Sequence, residues 1–159
     1  MKKIFLLIAF ITMSQLIVAQ QKIFKGGWFD IKYPSNFMAK GSLKNTEGFL
    51  SATFKSPDNL VEFYIFCSWP PNSRQATDIL IKPKEKLSSS KEIETKDGTK
   101  FIKWWTITAL DGTYSRSYQD TWQNHMGWIF GIKYKNASAL QKYKKEYAMF
   151  KASLIPYGD

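Results

Sequence analysis

The chain has 159 residues, of which 44% are apolar and 16% aromatic, enough for one packed domain and too much for a disordered chain. A single Cys and a single His exclude a disulfide framework within the chain and a Cys- or His-rich metal centre. The formal net charge of +10 comes from 23 Lys and Arg against 13 Asp and Glu. Nearly all of that charge is lysine scattered along the sequence, a pattern that solubilises, favours weak attraction to anionic surfaces and argues against nucleic acid as a partner.

Lys2 and Lys3 precede an unbroken apolar run, Ile4 to Ile11, and the stretch closes on Ala19. This order of charge, apolar core and small residue is that of a secretory signal peptide. Residues 1–20 are expected to be removed after Ala19 or Gln20, leaving residues 21–159 as a single exported domain, periplasmic or secreted. No Cys lies near the junction to carry a lipid.

Trp28 to Tyr33 alternates apolar and polar residues and is stopped by Pro34, the pattern of a half-buried strand. Phe49–Lys55 and Leu60–Cys67 flank Ser-Pro-Asp-Asn and read as a hairpin. Pairing Lys55 with Leu60 sets Phe54 against Val61, Ala52 against Phe63 and Leu50 against Ile65. Cys67 shares its face with Val61, Phe63 and Ile65, which makes it a small buried hydrophobe rather than a nucleophile. The stretch Ser68–Ser90 has little periodicity. Pro70-Pro71 breaks it, and Ala76–Ile81 could form a short helix or strand before Pro83.

Asp97-Gly98 and Asp111-Gly112 are two hairpin signals. The first joins roughly Lys91–Thr95 to Lys100 onward. The second sets Phe101 against Trp122, Lys103 against Asp120, Trp105 against Tyr118, Ile107 against Arg116 and Ala109 against Tyr114. The strand Met126–Tyr134 puts Trp128, Phe130, Ile132 and Tyr134 on one side, and pairing Trp122 with Trp128 would extend that aromatic face. A closing helix, capped by Asn136 or Ser138, carries Leu140, Tyr143, Tyr147, Phe150 and Leu154 at helical spacing and ends before Pro156.

These elements give an α+β fold: a mostly antiparallel sheet of about six strands, a C-terminal helix on one face and a shorter helix or loop segment on the other. The succession WFDIKYPSNF, FKSPDNLVEFYIF, a strand meander and ALQKYKKEYAMFKASL resembles the PsbP-like fold group, the extrinsic oxygen-evolving-complex proteins and their exported bacterial relatives. The likeness spans most of the mature chain. It implies an antiparallel sheet with helices on both faces, and it transfers no catalytic residue.

No nucleophile elbow, zinc-protease helix, P-loop or dinucleotide fingerprint is present. His125 falls in an apparent hairpin loop, and Asp120 is expected beside Lys103, which would lower rather than raise its pKa. No catalytic residue, metal ligand or cofactor site is assigned. Arg116 shares a face with Tyr114, Tyr118 and Trp122 and needs a partner: a carboxylate such as Asp120, or the acidic group of a ligand. Trp28, Tyr64, Phe66, Ile102, Trp104 and Ile129 are expected to project away from the helix-covered face, an area too apolar to leave in water. Either residues 68–90 cover it or it forms a groove. The candidate ligand-binding residues are therefore Trp28, Tyr64, Phe66, Trp104 and Arg116. The expected function is an exported, non-catalytic binding or accessory domain, monomeric, with a protein or small-molecule partner. The alternatives are a small hydrolase with an unrecognised site and a basic envelope-surface interaction protein.

Overall fold

Alternating segments of the chain pair as antiparallel strands, and the connections decide which face each side chain meets. The computed structural model describes residues 20–69, 76–96, 98–123 and 126–157. Residues 1–19 of the expected signal peptide, Pro70-Pro71, Asp97 and His125 lie outside the described residues. The chain forms β1 (Gln21–Lys25), β2 (Phe29–Pro34), β3 (Met38–Gly41), β4 (Lys44–Asn45), β5 (Gly48–Phe49), β6 (Ser51–Lys55) and β7 (Val61–Cys67). A 3-10 turn, Thr77–Ile79, precedes β8 (Glu85–Glu94), β9 (Lys100–Ala109), β10 (Ser115–Gln123) and β11 (Met126–Tyr134). Two short helices follow, α1 (Ala137–Lys142) and α2 (Lys144–Ala152), then β12 (Ile155–Pro156).

The main sheet has seven strands, not about six, in the order β3-β6-β7-β11-β10-β9-β8, with every neighbour antiparallel. The Trp28–Tyr33 segment does not join it. Its residues form β2, the centre of a separate three-stranded sheet, β1-β2-β12. That small sheet and the helices cover one face of the main sheet. Between them lies a core of Phe29 and Ile31 from β2, Phe54, Phe63, Ile65, Phe130 and Ile132 from the sheet, and Tyr143 and Phe150 from the helical segment.

Asn136 caps α1, its side chain accepting from the Ala139 amide at 2.9 Å. The expected single helix is broken at Tyr143, whose φ of −104° and ψ of 10° lie outside the helical well. A latch accounts for the break. The Tyr143 hydroxyl and the Lys142 ammonium both donate to Asp58 Oδ2 at 2.8 Å, tying the helix junction to the β6–β7 turn. Lys142, with Ser56, Tyr143 and the Leu60 amide, holds the Asp58 carboxyl well below the usual carboxylate range.

The β9–β10 hairpin has the expected register, Trp105 opposite Tyr118 and Lys103 opposite Asp120, with Gly112 at φ 72° in its turn. Two other registers differ. The β6–β7 ladder sets Phe54 against Phe63 and Ala52 against Ile65, two residues from the expected pairing. The turn is longer than Ser-Pro-Asp-Asn alone because the Ser56 amide reaches the Val61 carbonyl and Asn59 adopts a left-handed φ of 57°. A shift of two leaves each residue on its face. The β10–β11 ladder runs on to Gln123↔Met126, so Trp122 faces Gly127 and not Trp128. That shift of one exchanges faces. Trp128, Phe130 and Ile132 join the helix-covered core, while Trp105, Ile107, Tyr118 and Trp122 lie on the other face. Trp104 therefore falls on the helix-bearing side of the sheet, opposite to expectation.

Cys67 is 2% exposed and belongs to the core of Val61, Phe63 and Ile65. A thiol reagent should modify the folded protein only after denaturant is added. Rapid stoichiometric labelling in buffer would contradict this packing.

Candidate functional site

The second face of the main sheet carries its own apolar cluster: Tyr64, Phe66, Ile79, Ile107, Tyr118 and Ile129. It is crossed by a strap, residues 76–84, that includes the 3-10 turn and runs into β8. The strap has only one buried apolar anchor in its turn, Ile79. Buried polar contacts hold it instead.

Arg116 on β10 makes the larger of two clamps. Its Nε donates to Glu85 Oε1 at 2.9 Å and its Nη2 to Glu85 Oε2. Nη1 donates to the Ile79 carbonyl and to the Tyr118 hydroxyl, both at 2.9 Å, and Nη2 also to the Leu80 carbonyl at 2.8 Å. All five guanidinium N–H groups are thus engaged by the protein. Glu85 in turn accepts from the Tyr114 hydroxyl at 2.7 Å and from the Lys82 amide at 2.8 Å. The two side chains are 6% and 1% exposed, so this is a buried pair. Burial alone would raise the Glu85 carboxyl, but Arg116, Tyr114 and the Lys82 amide outweigh it and bring it down to about 2.

The smaller clamp is Asp78 in the 3-10 turn, which accepts from Ser51 Oγ and from the Tyr64 hydroxyl, each at 2.7 Å. Burial, then Asp78, pushes the Tyr64 hydroxyl far above its ordinary value. Tyr118 and Tyr114 are also raised, the first by burial and the second by its bond to Glu85. Each of these shifts carries its group away from neutrality, so none of these groups is poised to exchange a proton near pH ~7. Ser51 is fully buried, its hydroxyl donating to the Asp78 carboxylate and accepting from the Leu43 amide, so it is closed off from any substrate.

Tyr64 and Tyr118 meet edge-to-face, with centroids 5.8 Å apart, across Gly131, which pairs with both. A Cβ at 131 would stand 2.5 Å from Tyr118 Cε1 and 3.0 Å from Tyr64 Cβ. Gly131→Ala should cost about 1–3 kcal/mol through this overpacking and loosen the Tyr118 bond to Arg116. A urea midpoint equal to the parent's would contradict the close approach.

The strap divides the face. Beneath it is a polar cavity of about 140 Å3, bordered by Ser42, Thr53, Tyr64, Asp78 and Arg116. Toward β8 lies an apolar groove of about 420 Å3 formed by Ile79, Leu80, Ile81, Trp105, Ile107 and Ile129. Trp105 stacks on Tyr118 at 5.3 Å and also walls an adjoining hollow that contains Leu87. Leu80, Ile81 and Leu87 are 65%, 51% and 51% exposed.

The sequence-derived candidates are not one cluster. Tyr64 and Phe66 lie together on this face, but they are buried in its core. Arg116 lies there too, satisfied by Glu85 rather than by Asp120. Trp28 packs against the helix-covered core, and Trp104 is on that side of β9. Sequence reasoning missed Asp78, Glu85, Leu80, Ile81 and Trp105. The available signal was the apolar triplet Ile79-Leu80-Ile81 directly after Asp78 in a stretch without strand or helix periodicity.

No family model and no curated protein sequence matches the chain. Its fold is similar to the solution structure of cyanobacterial PsbP (CyanoP) from Synechocystis sp. PCC 6803. The TM-score is 0.53 and the identity 10%, over 88% of this chain and 94% of that one. The chain also aligns with half, 50%, of a crystal structure from Bacteroides thetaiotaomicron, over 88% of its own length, at 17% identity and a TM-score of 0.48. The fold is PsbP-like, as the resemblance implied, but among the described residues the α-helices lie on one face of the main sheet and a strap with a 3-10 turn takes the other. Among the described residues no helix is long and apolar enough to cross a membrane.

Proposed function

We propose that the protein is an exported, non-catalytic binding domain that engages an apolar partner surface through the groove between the strap and β8. The observation that carries this reading is the exposure of Leu80, Ile81 and Leu87 beside Trp105. A monomer gains nothing by leaving such side chains in water, whereas a groove with an aromatic wall suits a partner's anchoring residue. The buried clamps supply a rigid floor, and Glu85, Tyr64, Tyr114 and Tyr118 are held away from neutrality, which suits binding better than proton transfer. Export rests on the signal-like N-terminus.

Photocrosslinking in the native host tests the proposal. A photoreactive residue at Leu80 or Ile81 should give adducts of discrete mass that Trp105→Ala abolishes. The same residue at Met38, which is 68% exposed at the far edge of the sheet, should give none. Adducts from all three positions alike, or from Met38 only, would sink it.

A further inference from the structure

At the end of the second face away from the groove lies another hollow, of about 330 Å3, between the β6–β7 turn, the start of β10 and the end of β11. Its walls include Lys55, Leu60, Glu62, Tyr114, Lys133 and Lys135. The ladder places Glu62 directly between Lys55 on β6 and Lys133 on β11. Lys135 lies two residues beyond Lys133, and its amide donates to the Leu60 carbonyl at 3.1 Å, continuing the ladder. By strand alternation these four charged side chains point to one side. Three lysines thus line the hollow against one carboxylate. Among the described residues no ion pair engages any of the three lysines; the pairs formed are Lys103–Glu92, Arg116–Glu85 and Lys142–Asp58.

The wall is fixed. The Lys133 ammonium stands 4.1 Å from the centroid of the Tyr114 ring, and the Tyr114 hydroxyl is held by Glu85. Glu62, Tyr114 and Lys133 also border the polar cavity under the strap, where Ser42 and Thr53 supply hydroxyls. A cationic mouth therefore opens toward a small polar chamber.

We infer that this hollow is a binding site for a small hydroxylated anion, a phosphate monoester or carboxylate of a polyol. Its charged group sits among Lys55, Lys133 and Lys135, and its hydroxyls reach toward Ser42 and Thr53. The cationic hollow shares no lining residue with the apolar groove, and the polar chamber meets that groove at Ile79, so loss of the lysines leaves the groove intact. Unpaired cations beside a low-dielectric wall attract such a group more strongly than lysines spread over an open surface.

Calorimetric titration of the mature protein with glycerol phosphate, glucuronate and inorganic phosphate tests the inference. Glycerol phosphate or glucuronate should bind saturably and more tightly than inorganic phosphate, with affinity falling as salt rises. Lys133→Met and Lys135→Met should each weaken binding about tenfold, while Lys133→Arg retains it. Lys22→Met, which removes the same charge from β1, should leave it unchanged. Absence of saturable binding by all three probes would overturn the site. Equal losses in Lys22→Met and Lys133→Met would also overturn it, because they would mean only a diffuse positive field.

Discussion

Arg116→Met is expected to destabilise the domain by about 3–5 kcal/mol, the cost of leaving a buried carboxylate without its cation. Glu85 would keep the Tyr114 hydroxyl and the Lys82 amide but lose both guanidinium bonds. The strap would also lose the donors to the Ile79 and Leu80 carbonyls. Glu85→Leu combined with Arg116→Met should recover a large part of the loss, since replacing both partners removes the stranded charge. Acid dependence gives a second signature. In the folded protein Glu85 is held at about 2, below its ordinary 4.5. Its contribution to stability is therefore complete above pH ~4.5 and is lost as pH falls from there toward ~2. A shift of that size corresponds to something on the order of 3 kcal/mol. Urea midpoints at neutral pH and near pH ~3 should show the parent losing stability on acidification and the double variant losing less. A single variant as stable as the parent would mean the clamp is not formed.

Phe150→Ala should cost about 3–5 kcal/mol as well, a large share of the roughly 5–15 kcal/mol that holds a domain together. Phe150 is 1% exposed and is where α2 meets three strands. Its ring lies 5.2 Å from Phe54 on β6, 5.3 Å from Phe63 on β7 and 6.0 Å from Phe130 on β11. Truncation opens a cavity lined by other rings that cannot follow it without leaving their strands. The neighbouring Met149, 40% exposed, provides the comparison, and Met149→Ala should stay within about 0.5 kcal/mol of the parent. Similar losses at the two positions would mean that the helix presents a different face to the sheet.

The sequence was most informative where local chemistry is strong. Asp111-Gly112 and two aromatic pairs fix the β9–β10 register without help from the rest of the chain. The period of the helical segment identifies Tyr143 and Phe150 as core, although it gives no hint of the break that Asp58 imposes from the β6–β7 turn. Errors arose where a connection length decides the register. Trp122 meets Gly127 because the β10–β11 ladder continues to Gln123↔Met126, and that one step transfers Trp105 and Tyr118 to the second face. Trp104, favoured as a binding residue, goes the other way. The strap was the least legible part, because its order comes from carboxylates that find partners far along the chain. Glu85 reaches Arg116 across 31 residues, and Asp78 reaches Ser51 across 27. No periodic pattern marks such pairs, and Asp120 is the carboxylate nearest to Arg116 in sequence.

The strap separates an apolar groove from a cationic hollow on the second face. Nitrogen-15 NMR titration of residues 21–159 with two separate probes tests that division most directly. The neutral N-phenylnaphthylamine should shift the signals of Leu80, Ile81, Ile129 and the Trp105 indole, and glycerol phosphate those of Lys55, Tyr114, Lys133 and Lys135, with little overlap. Shifts from both probes on the same residues, or on Trp104 and the helices instead, would contradict it.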